Sequence, residues 1–141
     1  MGSQSINNST QPDAKAGPPP VRLLLVDDNA AFAEATAEFL QMAGLDVRVA
    51  ENGKDALESA EAFRPQIVLC DLMLRDSTGL DLARGFRSNP YMKDVVFALY
   101  TALSDSDIRA LESEASGHVD LFFSKPLTDQ KIEKLLDRVA R

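Results

Sequence analysis

The chain has 141 residues, 45% of them hydrophobic and 26% charged, enough for one domain with a real core and too few for two ordinary ones. Fifteen Lys and Arg against twenty-two Asp and Glu give a net charge of −7. That balance works against direct binding to nucleic acid or anionic lipid, both of which need a basic face. With Cys70 the sole cysteine and His118 the sole histidine, no internal disulfide forms, a cytoplasmic, reducing setting fits, and any metal must be held by oxygen. No apolar run reaches the length of a membrane span or follows a basic leader.

Residues 1–20 are rich in Ser, Asn, Gln and Pro, with Ile6 the only large apolar side chain besides Met1. Such a stretch cannot bury enough surface to offset its ordering entropy and reads as a disordered tail or linker. Pro18-Pro19-Pro20 is a stiff spacer, and the folded domain is expected over residues 21–141. From Val21, short apolar runs alternate with segments of helical period. Residues 22–26 read as a strand running into Asp27-Asp28. Phe32, Thr36, Phe39, Leu40 and Ala43 repeat at helical spacing, and Gly44 is placed to end that helix. Residues 46–50 make a short strand, and Ala56, Leu57, Ala60 and Phe63 a second helix that stops before Pro65. The four apolar residues 67–70 read as a strand buried on both faces, and the run stops at Asp71. A loop through Gly79 leads to a helix bearing Leu80, Ala83 and Phe86 that is over before Pro90. Residues 95–100 form a fourth strand ending at Thr101, and a helix from Ser104 carries Ile108 and Leu111 and closes at Gly117. Residues 119–123 form the fifth strand, followed by Lys125-Pro126, and Leu127, Ile132, Leu135, Leu136 and Val139 mark the last helix.

Five strands alternating with five helices imply an α/β doubly wound parallel sheet, for which the flavodoxin-like strand order 2-1-3-4-5 is the leading arrangement. In that order strands one and three are neighbours at the switch point, which brings Asp27, Asp28 and Asp71 together. Close carboxylates repel one another by about 4 kcal/mol per pair at an effective dielectric near 20, so the site calls for a cation. A set of hard oxygen ligands selects Mg²⁺ or a relative, which keeps several waters and bridges readily to phosphate. Lys125 supplies a fixed positive charge on the same rim and Thr101 a hydroxyl donor. Together these groups describe a place to receive and hold a phosphoryl group. Taken singly each has a plainer explanation: Asp28 as the cap of the first helix, Thr101 as an ordinary strand residue, Lys125-Pro126 as a common loop dipeptide. Their coincidence at the ends of four strands is what carries weight.

Leu25-Val26-Asp27-Asp28-Asn29, the apolar strand into Asp71, Gly79 eight residues later, Thr101 followed by Ala102, and Lys125-Pro126 together resemble the receiver domain of a two-component response regulator. The resemblance extends from Val21 to about Val139. It implies that Asp71 accepts a phosphoryl group from a phosphohistidine on a histidine kinase or a histidine phosphotransfer protein. It also implies that Asp27, Asp28, Asp71 and the backbone carbonyl of Met73 hold Mg²⁺. Lys125 would pair with phosphoryl oxygens, and Thr101 would swing toward one of them. Phe122, three residues before Lys125, matches the family's aromatic switch position, and the output would be a change in the face made by the fourth helix, fifth strand and fifth helix, with a phosphorylation-dependent dimer as one consequence.

The chain also departs from the family pattern. Arg75 stands where a proline is usual, so the loop over residues 75–78 is expected to be freer, with Arg75 solvated in preference to pairing with Asp76 or reaching the phosphoryl group. The stretch from Gly117 to Lys125 is one residue longer than usual, which bears on the pose of Phe122, and His118 is expected at the surface of that turn. Met73 and Leu103 flank the route of a water attacking an acyl phosphate, and neither can orient one, so slow self-dephosphorylation is expected. An aspartyl-nucleophile phosphatase would need an acid at position 73, and a dinucleotide module a Gly-rich loop after strand one; both are absent from the sequence. A receiver-like interaction module that works without phosphorylation is the remaining alternative. The Pro-rich stretch before the domain suits the C-terminal receiver of a hybrid sensor kinase, with a stand-alone receiver as the other arrangement.

Overall fold

Strand and helix alternate throughout the computed structural model, which describes residues 18–115 and 117–139. The elements are β1 (Arg22–Val26), α1 (Ala30–Met42), β2 (Asp46–Ala50), α2 (Gly53–Phe63), β3 (Ile67–Asp71), α3 (Gly79–Arg87), β4 (Val96–Thr101), α4 (Asp105–Glu114), β5 (Leu121–Ser124) and α5 (Asp129–Arg138). The tail expected over residues 1–20 lies, up to residue 17, outside the described residues. The strands pair in parallel in the order β2-β1-β3-β4-β5, the arrangement expected of a flavodoxin-like unit.

Each helix begins at a side chain suited to it. Asn29, Asn52, Thr78, Ser104 and Thr128 each accept a hydrogen bond from the backbone N–H three residues on, satisfying a donor that the helix cannot use internally. Thr78 and Asp81 complete a reciprocal capping box. The first helix is therefore capped by Asn29 and not by Asp28, whose carboxylate is left for other work. Gly44 follows α1 at φ +96°, the left-handed conformation that ends helices.

Because β1, β3 and β4 lie inside the sheet, alternate residues feed two separate cores. Leu24, Val26, Val68, Cys70, Phe97 and Leu99 pack under α2 and α3 with Ala56, Ala60, Leu82 and Phe86. Leu23, Leu25, Ile67, Leu69, Ala98 and Tyr100 pack under α1 and α5 with Ala33, Leu40, Ile132 and Leu135. Helix α4 is the loosest of the layers: its one buried residue is Ile108, with Leu111 partly covered.

The strand limits expected for β4 and β5 shift by a residue or two. Thr101 is the last residue of β4, and β5 begins at Leu121 and not at Val119. The cause is Asp120, whose carboxylate accepts from the backbone N–H of Phe97 (2.9 Å), from Arg87 Nη2 (2.9 Å) and from Arg138 Nη2 (3.3 Å). Arg87 also donates to the carbonyls of Lys93, Val95 and His118. This clamp closes the end of the sheet opposite the acidic residues, where the Asp120 N–H also donates to the Phe97 carbonyl (2.8 Å). His118 is accordingly half-buried, with its Nδ1 out of solvent, and not a plain surface residue.

Candidate functional site

The parallel registers Val26↔Cys70, Asp71↔Tyr100 and Thr101↔Ser124 bring the carboxyl ends of β1, β3, β4 and β5 to one rim. Asp27 follows β1, Asp71 and Thr101 close β3 and β4, and Lys125 follows β5. One carboxylate oxygen from each of Asp27, Asp28 and Asp71 lies within 4.8 Å of the others. Lys125 Nζ bridges two of them, 2.9 Å from Asp71 Oδ2 and 3.1 Å from Asp27 Oδ2. The ammonium offsets the mutual repulsion of the carboxylates at close range. It is only 17% exposed, against 16% for Asp71 and 0% for Asp27, so water screens these pairs weakly.

Asp27 is the most enclosed of the three and is fully provided with donors. Its Oδ1 accepts from the backbone N–H of Asn29 (2.9 Å), and its Oδ2 accepts from the Tyr100 hydroxyl (2.8 Å) as well as from Lys125. Burial, then the neighbouring Asp27 carboxylate, pushes the Tyr100 phenol well above its ordinary value, which keeps it a proton donor. Burial and, after it, the Asp71 and Asp27 carboxylates likewise raise the Cys70 thiol, leaving it an inert part of the core.

The loop after β3 is tied down. Leu74 N–H donates to Ser77 (3.0 Å), Gly79 N–H to the Leu72 carbonyl (2.6 Å), and Met73 and Thr78 form an antiparallel bridge. Asp76 reaches across to the start of α2, where its two oxygens accept from the backbone N–H groups of Gly53 (2.9 Å) and Lys54 (3.1 Å). Those N–H groups, Gly53 foremost, hold its carboxyl below the usual range. The expectation of a freer loop is thus wrong: a helix N-terminus anchors the segment in place of the missing proline. Arg75 is exposed, as expected. Gly79 is required by space, since a Cβ there would sit 2.6 Å from the carbonyl oxygen of Asp71 and 2.5 Å from Leu99.

Met73 is 63% exposed and Leu103 37% exposed, an apolar edge to the rim. Thr101 is buried, and its carbonyl accepts from the Lys125 N–H (2.7 Å). Phe122 is half-buried against the α2 and α3 core. The residues that sequence reading missed are Tyr100, Asp76 and the Arg87–Asp120 clamp. For Tyr100 a signal did exist, because a phenol in an all-buried strand must find a partner for its hydroxyl. Among the described residues no helix is long and apolar enough to cross a membrane.

Residues 23–137 match the family described as the response regulator receiver domain. The phosphate regulon transcriptional regulatory protein PhoB of Pseudomonas aeruginosa is 31% identical over 121 residues, covering 84% of this chain and 51% of that protein. The chain thus spans roughly half the length of that relative. Among solved structures, a CheY-like response regulator receiver domain from Methylobacillus flagellatus superposes with a TM-score of 0.76 at 28% identity, covering 86% of this chain and 99% of that one. The receiver domain of the sensor histidine kinase PA1611 from Pseudomonas aeruginosa, solved with magnesium in its active-site cleft, shares the fold at a TM-score of 0.73 and 24% identity, over 85% of this chain and 97% of that one. Strand order, acidic rim and sequence agree: the chain belongs to the receiver domains of two-component response regulators.

Proposed function

We propose that Asp71 is the phosphoacceptor, taking the phosphoryl group from a phosphohistidine on a histidine kinase or histidine phosphotransfer protein. In that transfer an Asp71 carboxylate oxygen attacks phosphorus, the P–N bond breaks with its electron pair going to nitrogen, and the histidine, protonated on its other ring nitrogen, leaves as neutral imidazole while an acyl phosphate forms. The observation that carries the reading is the bridge of Lys125 Nζ between Asp71 and Asp27, beside three convergent carboxylates. That donor set suits a hard divalent ion, with Asp27, Asp28, Asp71 and the Met73 carbonyl as its protein ligands. Mg²⁺ bound there would neutralise charge on the phosphoryl oxygens and help align them.

The rest is done by the chain itself. Lys125, already held 2.9 Å from the acceptor, needs only a short shift to pair with a phosphoryl oxygen. Thr101, one strand away, offers its hydroxyl to another. The added charge of about −1.5 to −2 draws both groups toward Asp71. Space vacated behind Thr101 admits Phe122, which couples the site to α4, β5 and α5. The folded unit of this reading runs from Val21, after the Pro-rich spacer. Of the two departures from the family pattern that could favour a module independent of phosphorylation, the loop after β3 is anchored by Asp76.

The test is intact mass after exposure to phosphoramidate with Mg²⁺. A gain of one phosphoryl group, lost in Asp71→Asn and on omission of Mg²⁺, is expected. Unmodified wild-type protein, or an Asp71→Asn variant labelled as well as wild type, would overturn the assignment.

A further inference from the structure

Tyr100 does more than fill the core. It lies on the β4 face that packs against α1 and α5, fully buried. Its hydroxyl donates to Asp27 Oδ2 at 2.8 Å. The same Oδ2 accepts from Lys125 Nζ at 3.1 Å, while Oδ1 accepts from Asn29 N–H at 2.9 Å. The Asp27 carboxylate is thereby gripped from both ends. The Lys125 ammonium in turn sits 4.4 Å from the centroid of the Phe32 ring and 4.8 Å from that of Tyr100, within cation–π range of both. The two rings stand 6.1 Å apart.

We propose that Tyr100 is a positioning residue: its hydroxyl fixes the Asp27 carboxylate for a divalent ion and remains as a donor when Lys125 leaves for the phosphoryl group. A carboxylate with no solvent exposure cannot surrender its ammonium without another donor in place. The Asn29 N–H serves the other oxygen, so once Lys125 has moved Tyr100 is, among the described residues, the one protein donor left to Oδ2, beside the ion that Asp27 helps to hold. Phe32 contributes its ring face to the ammonium, 4.4 Å from Nζ. This inference rests on the reading of Asp71 as phosphoacceptor and of the acidic rim as a Mg²⁺ site.

Tyr100→Phe keeps the ring and removes the donor. Calorimetric titration with Mg²⁺ is expected to show binding weakened about tenfold, as for other groups that orient metal ligands, with thermal unfolding of the variant still cooperative. A second measurement needs no change at position 100. The sequence holds two tyrosines and no tryptophan, and Tyr91 is 80% exposed, so in Tyr91→Phe protein the ultraviolet emission comes from Tyr100. That emission is expected to change on Mg²⁺ addition with the calorimetric midpoint. Mg²⁺ affinity in Tyr100→Phe within about twofold of wild type, or Tyr100 emission indifferent to saturating Mg²⁺, would overturn the role of the tyrosine while leaving the phosphoacceptor reading intact. Wild-type protein that binds no Mg²⁺ and takes no phosphoryl group would instead sink the site assignment on which it rests.

Discussion

Replacing Lys125 by methionine tests the electrostatic logic of the rim most directly. The stem keeps its length and apolar character, and only the ammonium goes. In the structure that ammonium makes two contacts with carboxylate oxygens, at 2.9 and 3.1 Å, in a setting where Asp27 has no exposure at all. Removing it deletes both attractions and leaves two carboxylates facing each other, a repulsion of about 4 kcal/mol at 4 Å and an effective dielectric of 20. Breaking a buried pair typically costs about 3–5 kcal/mol. Because Asp71 keeps some contact with water, the lower end applies, about 3 kcal/mol, or a fall in Tm of about 10 °C for a domain of this size. Mg²⁺ should then take over the role of the lost charge. At about 100 times its dissociation constant a ligand returns about 2.7 kcal/mol, so the variant is expected to recover most of its deficit and to gain more from Mg²⁺ than wild type does. Phosphorylation by phosphoramidate is expected to stay slow even so, since the partner for the phosphoryl oxygens is missing. Differential scanning calorimetry with and without Mg²⁺ reads the effect. A variant as stable as wild type in the absence of Mg²⁺, or one that gains no more from the ion, would refute this account of what Lys125 does.

Three further outcomes are expected. Gly79→Ala forces a Cβ against the Asp71 carbonyl and Leu99, and urea unfolding should show a loss of about 1–3 kcal/mol. Asp76 has its carboxyl lowered in the folded chain by the N–H groups of Gly53 and Lys54, so its contribution is complete above the unfolded value of about 4 and lost as pH falls through the lower folded one. Asp76→Asn should therefore be less stable than wild type near neutrality, with the difference shrinking only below about pH 4; a difference unchanged across that range would contradict the anchoring role. Met73 and Leu103 offer no group to orient an attacking water, so the acyl phosphate on Asp71 is expected to decay with a half-life of hours, followed by loss of the phosphorylated mass. Decay within a minute or so would show that these side chains do not govern access.

The parallel α/β sheet was legible in the sequence from chain alternation, and the candidate residues from where the apolar runs end. The strand order that gathers Asp27, Asp71, Thr101 and Lys125 came with the flavodoxin-like pattern and not from the alternation itself. What escaped was set by contacts distant in sequence. Asp76 lies more than twenty residues from the helix start it caps, and no local spacing points there. Arg87 and Asp120 pair across 33 positions, and the extra residue before Lys125 hinted at an irregularity without naming its cause. Tyr100 was hidden by its surroundings: in a strand with every residue buried, period-two reasoning cannot say which face a side chain occupies. Its hydroxyl was the available clue, and it pointed to a partner without identifying Asp27.

Helix α4 seats itself with one isoleucine, Ile108, while α1, α2 and α3 each insert four residues. Full burial of such a side chain is worth about 1.5–3 kcal/mol, comparable with one rearranged charge pair at the acidic rim. Of the five helices it is therefore the one whose seat a single covalent modification could outbid, and its backbone amides should exchange with deuterium ahead of the others. The clamp of Arg87, Asp120 and Arg138 fastens the far margin of the same sheet, so a push delivered at Asp71 meets a fixed end on one side and a hinged panel on the other.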